Sequence, residues 1–172
     1  MALKKILQLV AQQICSFPNF PIPGALFRDI LILGKTQTPS DRPSIRLLAS
    51  HLKSTYSGKI DYIAGLDSRG FLFGPSLAQE LGVGCVLTWK HRKLLGPTVS
   101  ASYALVYGKA ELEIQNCALE PRRRVVIVDD LLATGGTICK ACELLYQLQA
   151  EVGVCVSLVE LISLKGREKQ YE

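Results

Sequence analysis

Apolar residues along the chain follow two alternating rhythms, one helical and one extended. Leu3, Ile6, Leu7, Val10 and Ile14 recur at helical spacing, which predicts an amphipathic helix from about residue 3 to 15. Ile45, Leu48 and Leu52 mark one face of a second helix ending near Ser54. Residues 60–66 read as a short strand, Asp67-Ser68-Arg69-Gly70 as a turn, and 71–81 as a helix that tolerates Gly74 and Pro75 in its early turns. Another strand is expected over 83–88. Strict alternation over 110–114 marks a half-exposed strand. From Arg124 the chain runs Val125-Val126-Ile127-Val128, the unbroken β-branched pattern of a parallel strand buried on both faces. A helix over 138–148 and a last strand over 152–162 follow. Strands alternating with helices predict an α/β fold, a mostly parallel sheet flanked by helices.

Between these elements lie stretches without a period. Residues 17–29 carry Pro18, Pro21 and Pro23, which exclude a regular element and stiffen a loop. Such a loop either presents Phe27 as an apolar plate for a planar heterocycle or buries Phe27 in the core; the stretch alone fits both. Residues 34–43 are a polar connector. Residues 94–106 hold Gly96, Pro97 and small side chains, the composition of a mobile loop, and a hairpin beside it suits a lid. The tail, 163–172, is short and polar.

Composition adds bounds. With 172 residues and 48% hydrophobic content, one domain spanning 1–172 with a substantial core is expected. The net charge of +5 suits a polyanionic small substrate and is too mild to argue for nucleic acid. Arg122, Arg123 and Arg124 have no interleaved aromatics and read as a solvated face. The six cysteines are irregularly spaced, as expected of reduced thiols, and Cys139 and Cys142 read as packing residues. No run is long enough for a membrane span, and Gln8, Gln12 and Gln13 interrupt any signal-peptide segment. A cytoplasmic protein without membrane or nucleic-acid partners is expected.

The chemistry concentrates at the end of the strand that starts at Arg124. Asp129 and Asp130 sit side by side where a parallel strand leaves its sheet, the edge at which open α/β sheets bind ligands. Ala133, Thr134, Gly135, Gly136 and Thr137 form a small-residue turn into the next helix. The two glycines let the backbone approach a phosphate, and the threonines add hydroxyl donors. The stretch lacks the lysine and spacing of a P-loop and is no G-x-G-x-x-G turn. Acids for vicinal sugar hydroxyls beside an amide cradle describe a ribose 5-phosphate site. The turn at Asp67, Ser68 and Arg69 is a second phosphate position, and Trp89-Lys90-His91-Arg92-Lys93 adds cations that serve either as an anion site or as a solvated face.

The stretch from Val125 to Thr137 resembles the phosphoribosyl pyrophosphate (PRPP) signature of the type I phosphoribosyltransferases. With residues 17–29, 60–87, 96–103 and 107–115, the chain is similar to the adenine-specific branch of that family over nearly its whole length. The resemblance implies the type I phosphoribosyltransferase fold, with a small N-terminal hood over about 1–35 and a flexible lid loop over about 89–110. It implies a homodimer, adenine and PRPP as substrates, AMP and pyrophosphate as products, and Mg²⁺ bound mainly through PRPP without a firm protein ligand. Carried over by position, Ala133, Thr134, Gly135, Gly136 and Thr137 bind the 5-phosphate, and Asp129 and Asp130 bind the ribose. Asp67, Ser68, Arg69, Lys90, Lys93 and Tyr107 face the pyrophosphate. Adenine lies between Phe27 and Leu131, with Leu26 and Arg28 beside it; Asp129, Asp130 and Arg69 are the expected catalytic residues.

The chain departs from that pattern in places. Val106 stands where the family carries a glutamate before the lid tyrosine, and Trp89 where it carries an arginine that reaches the pyrophosphate. The segment after Asp29 fails to match, and the C-terminal match skips an apolar, Phe-rich segment. Reduced turnover is expected from these losses. A homologue that binds AMP or PRPP without catalysis, or acts as an interaction partner, is the second reading.

Overall fold

The computed structural model describes residues 8, 11–12, 14–19, 23–24, 26–29, 43–56, 58–105 and 108–168, with only the backbone at 26–29, 103–105 and 108–110. Eight strands are described: β1 (Cys15–Pro18), β2 (Leu26–Asp29), β3 (Tyr62–Leu66), β4 (Gly84–Lys90), β5 (Thr98–Leu105), β6 (Gly108–Gln115), β7 (Arg124–Leu132) and β8 (Glu151–Glu160). Three longer helices join them: α1 (Pro43–Thr55), α2 (Gly74–Leu81) and α3 (Gly136–Gln147). Strands β3 to β8 form one sheet in the order β5-β6-β4-β3-β7-β8. β4, β3, β7 and β8 run parallel, while the β5–β6 hairpin is antiparallel and joins through Trp89–Glu113 and Lys90–Leu112.

The period of two along each central strand builds the layers. Ala64, Val125 and Ile127 face Ile138, Ala141, Leu144 and Leu145 of α3. Their neighbours Ile63, Val126 and Val128 face Ile45, Ala49 and Leu52 of α1 and Leu77 and Ala78 of α2. A strand buried on both sides must be apolar throughout, which explains the uninterrupted run at the start of β7. Because β3 and β7 are the two middle strands of the parallel set, their carboxyl ends open beside each other.

Several boundaries differ from the sequence reading. The proline-rich stretch is not wholly irregular: β1 and β2 pair antiparallel, with Pro18 opposite Leu26. A two-stranded ribbon leaves an edge unpaired, so a proline lacking its N–H fits there. The helix expected over 71–81 is a 3-10 turn, Arg69–Leu72, followed by α2, with Pro75 in the first turn where no N–H is needed. Most of the loop expected over 94–106 is strand β5. Val99 and Ala101 turn inward and Ser100 and Ser102 outward, an alternation hidden by the small side chains. Of the expected helix over 3–15, Gln8, Ala11 and Gln12 are described and helical. Its expected end differs: Ile14 lies outside any helix and Cys15 already opens β1, because pairing with Asp29 draws the chain into the ribbon. The other residues of that stretch and most of the 34–43 connector lie outside the described residues. All six cysteines are free thiols, and no helix among the described residues is long and apolar enough to cross a membrane.

Candidate active site

β7 continues past its apolar run, so Asp129, Leu131 and Leu132 are still paired with β8. That pairing fixes the backbone of the two acids, whose carboxyl groups lie close enough to interact. Asp130, 7% exposed, accepts a 3.0 Å charge-assisted hydrogen bond from Arg69 Nη1. Asp129 Oδ1 accepts from the Asp130 amide at 2.9 Å. Burial and the neighbouring Asp130 charge push the Asp129 carboxyl up to about 8, against weaker help from Arg69. At neutral pH Asp129 therefore carries its proton for much of the time, and the pair presents both a donor and acceptors to hydroxyl groups.

The turn after β3 reaches this strand because its glycines permit it. A Cβ at position 70 would lie 2.7 Å from the Val128 carbonyl oxygen, and one at 74 would lie 3.2 Å from Gly65 Cα. On the other side the turn meets the end of β4. Buried Asp67 accepts from Lys93 Nζ at 2.8 Å and from the Lys90 amide at 3.0 Å. Burial alone raises a carboxyl, but here the Lys93 ammonium and the Lys90 amide outweigh it and hold Asp67 below its ordinary value.

Sequence reasoning missed Glu113, read only as part of a half-exposed strand. It is 4% exposed, and its Oε1 accepts from the amides of Lys93 and Leu94 at 2.7 and 2.9 Å. Burial opposes its charge, and the amides of residues 93, 94 and 92 overcome that and lower its carboxyl. Glu113 thus shapes the turn that delivers Lys93. His91 Nδ1 lies 3.2 Å from Glu111 and 3.7 Å from Glu113, so the cluster over 89–93 is partly neutralised rather than uniformly positive.

The five residues expected at the 5-phosphate form the turn into α3. Gly135 is the N-cap at φ +80, a conformation that favours glycine, and no side chain caps the helix. The first amides of α3 accordingly receive no side-chain cap from Gly135, and such uncapped helix N-termini suit an anion. Thr134 is exposed and Thr137 half-buried. Gly166 was missed as well. The tail read as merely polar lays Gly166 against this turn, buried, where a Cβ would meet the Ala133 carbonyl oxygen at 2.3 Å. A glycine within a charged run was its signal.

The structure therefore brings Asp67 into contact with Lys93, and Arg69 into contact with the Asp129–Asp130 pair. Ser68 lies between Asp67 and Arg69, exposed, Lys90 is exposed at the end of β4, and Leu131 is half-buried on β7. The side chains of Leu26, Phe27 and Arg28 lie outside the described residues, as do Val106 and Tyr107.

Residues 39–171 match the phosphoribosyl transferase domain family. The adenine phosphoribosyltransferase of Cricetulus griseus is 79% identical over 163 residues, which is 95% of this chain and 90% of that protein. The chain belongs to the adenine phosphoribosyltransferase family. The Mus musculus adenine phosphoribosyltransferase is 77% identical with the same coverage. Among solved structures, the Saccharomyces cerevisiae adenine phosphoribosyltransferase was captured with D-2,5-dideoxy-2,5-imino-altritol 1,6-bisphosphate and adenine. It matches with a TM-score of 0.89 at 40% identity, over 96% of this chain and 94% of that one. Beside the Asp67–Lys93 pair of this adenine phosphoribosyltransferase stands Trp89. The indole is half-buried, edge-on to Phe71 with ring centroids 4.7 Å apart, and Lys93 Nζ lies 5.9 Å from its centroid. An aromatic side chain thus packs beside the Asp67–Lys93 pair.

Proposed function

We propose that this chain transfers the phosphoribosyl group from PRPP to adenine, giving AMP and pyrophosphate. The observation that carries the reading is the Arg69–Asp130 contact at 3.0 Å, which joins the turn after β3 to the acids ending β7. A substrate with a phosphate at each end of one ribose needs two anion turns separated by hydroxyl-binding acids, and that contact sets the spacing. The close relatives named adenine phosphoribosyltransferase support the choice of base.

In this reading the amides opening α3, with Thr134 and Thr137, hold the 5-phosphate. Asp129 and Asp130 hold the ribose hydroxyls and so fix the anomeric carbon where the purine nitrogen attacks. Arg69, Lys90 and Lys93 face the pyrophosphate and oppose the charge that grows as its bond loosens. Phe27, Leu26, Arg28 and Leu131 hold adenine, with the β1–β2 ribbon as a hood. The β5–β6 hairpin and Tyr107 close over the site and exclude water, which would otherwise hydrolyse PRPP.

Among the described residues no three His, Cys, Asp or Glu side chains converge as a metal cage. Asp130 offers a hard oxygen of the kind Mg²⁺ prefers, while Asp129 keeps its proton at neutral pH, so the donor set fits an ion that arrives chelated by PRPP rather than one held by firm protein ligands. Such an ion supplies neutralisation of the leaving group's charge. The protein is a cytoplasmic homodimer in this reading, in keeping with its free thiols.

Thermal unfolding with single ligands tests the site. PRPP with Mg²⁺, and AMP alone, each raise Tm in proportion to the logarithm of concentration, whereas hypoxanthine alone does not. A Tm insensitive to both PRPP and AMP contradicts the assignment.

A further inference from the structure

A groove of about 780 Å³ lies between α1, α3 and β8, with Leu48, His51, Cys139, Cys142, Tyr146 and Cys155 among its walls. Tyr146, 57% exposed, and the exposed His51 stand at its rim, so small molecules in solvent reach the interior. Nothing in the transfer reaction uses this groove's thiols. Cys142 on α3 and Cys155 on β8 are both half-buried, and their sulfurs are 4.0 Å apart. Helix and strand meet there through side-chain packing alone, and no backbone hydrogen bond has to break for the two sulfurs to approach. A disulfide needs about 2.05 Å between sulfurs, a closure that rotation about the two Cα–Cβ bonds and a small shift of α3 provide.

We propose that Cys142 and Cys155 are a modification site, a redox-sensitive thiol pair that a hydroperoxide entering the groove converts to an intramolecular disulfide. The Cys142 thiolate attacks the peroxide: a sulfur–oxygen bond forms, the oxygen–oxygen bond breaks, and hydroxide leaves, taking a proton to become water. The Cys155 sulfur then attacks the sulfenic sulfur of Cys142. The sulfur–sulfur bond forms, the sulfur–oxygen bond breaks, and the departing hydroxide takes the Cys155 proton. Two thiols and one hydrogen peroxide give one disulfide and two waters.

The contact with Cys155 holds the Cys142 thiol below its ordinary value, against the effect of burial, while that same contact and burial push Cys155 up. That direction favours Cys142 as the attacking thiol, and exchanging the roles of the two sulfurs gives the same disulfide. Cys139, three residues earlier on the same helix face, is not the partner, because the strand presents Cys155 to Cys142. The bridge pins α3 to β8.

The test uses the folded full chain, treated with a slight excess of hydrogen peroxide, then denatured in an alkylating agent and mapped by mass. Two of the six thiols disappear, the mass falls by two hydrogens, and the linked peptides contain Cys142 and Cys155. Dithiothreitol reverses the change, and the chain stays monomeric on a non-reducing denaturing gel. Cys139→Ser retains the linkage and Cys142→Ser loses it. Mapping on the unsubstituted chain decides the matter even where a variant fails to fold. Linked peptides joining any other pair, or Cys142 recovered as sulfinic acid with Cys155 still alkylated, overturn the proposal.

Discussion

Replacing Asp130 with alanine removes the carboxylate that both anchors Arg69 and, in the proposed site, accepts the ribose hydroxyls. Its side chain is 10% exposed and that of Arg69 is 25% exposed, so solvent screens the pair only in part. A hydrogen bond to a charged group at this burial is worth roughly 1.5–3 kcal/mol. The free protein loses about that much stability, since the guanidinium keeps its burial cost without its partner. PRPP loses its hydroxyl acceptor, a further ~1.5–3 kcal/mol, or about 10- to 150-fold in Kd. One effect runs the other way: removing a negative charge eases the approach of a polyanion, worth about 1 kcal/mol at 4 Å in water. Loss of the acceptor therefore dominates by ~0.5–2 kcal/mol, and Kd rises about 2- to 30-fold while turnover falls. Isothermal titration with PRPP and Mg²⁺, with urea unfolding alongside, reads both quantities. A variant with unchanged PRPP affinity and full turnover refutes the ribose assignment.

Asp129 makes a pH prediction whose sign is fixed by its raised carboxyl, about 8 in the folded chain against ~3.9 unfolded. Between those values the folded state holds the extra proton, so this group's contribution to stability is full below about pH 4 and is lost as pH rises toward 8. Asp129→Asn gains Tm relative to the parent, more at pH 8 than at pH 5; an equal gain at both would show that Asp129 is not titrating there. Val106→Glu restores a proton-handling group and raises turnover, by up to the ~10²–10⁴-fold typical of acid–base help, with little change in PRPP affinity. Unchanged steady-state turnover means the proton is handled elsewhere. Trp89→Arg tightens PRPP by about 1.5–3 kcal/mol at most, because it restores a charge-assisted donor, and sacrifices the edge contact with Phe71. An unaltered PRPP dissociation constant removes any role for a cation at that position.

The central sheet and its order of helices were legible because burial on both faces forces a continuous apolar run, as at Val125, Val126, Ile127 and Val128. The acids and glycines after that run were equally visible, since carboxylates and a small-residue turn at a strand end have few structural uses. What escaped notice depends on pairing across the chain. Thr98 to Leu105 became a strand through its partner β6, despite side chains too small to show alternation strongly. Glu113 is buried because its amide donors, on residues 93 and 94, come from a turn twenty residues away. Gly166 matters through Ala133, another long-range neighbour. Residues 17–29 failed as a uniform loop because a two-stranded ribbon lets a proline occupy a strand position.

The decisive measurement is AMP formation from adenine and PRPP with Mg²⁺ on the purified, folded protein, with hypoxanthine and guanine run in parallel. The account predicts AMP and pyrophosphate in equal amounts from adenine and no nucleotide from the other two bases. Absence of AMP from a protein whose Tm still rises with AMP contradicts the transferase reading and leaves a nucleotide-binding homologue in its place.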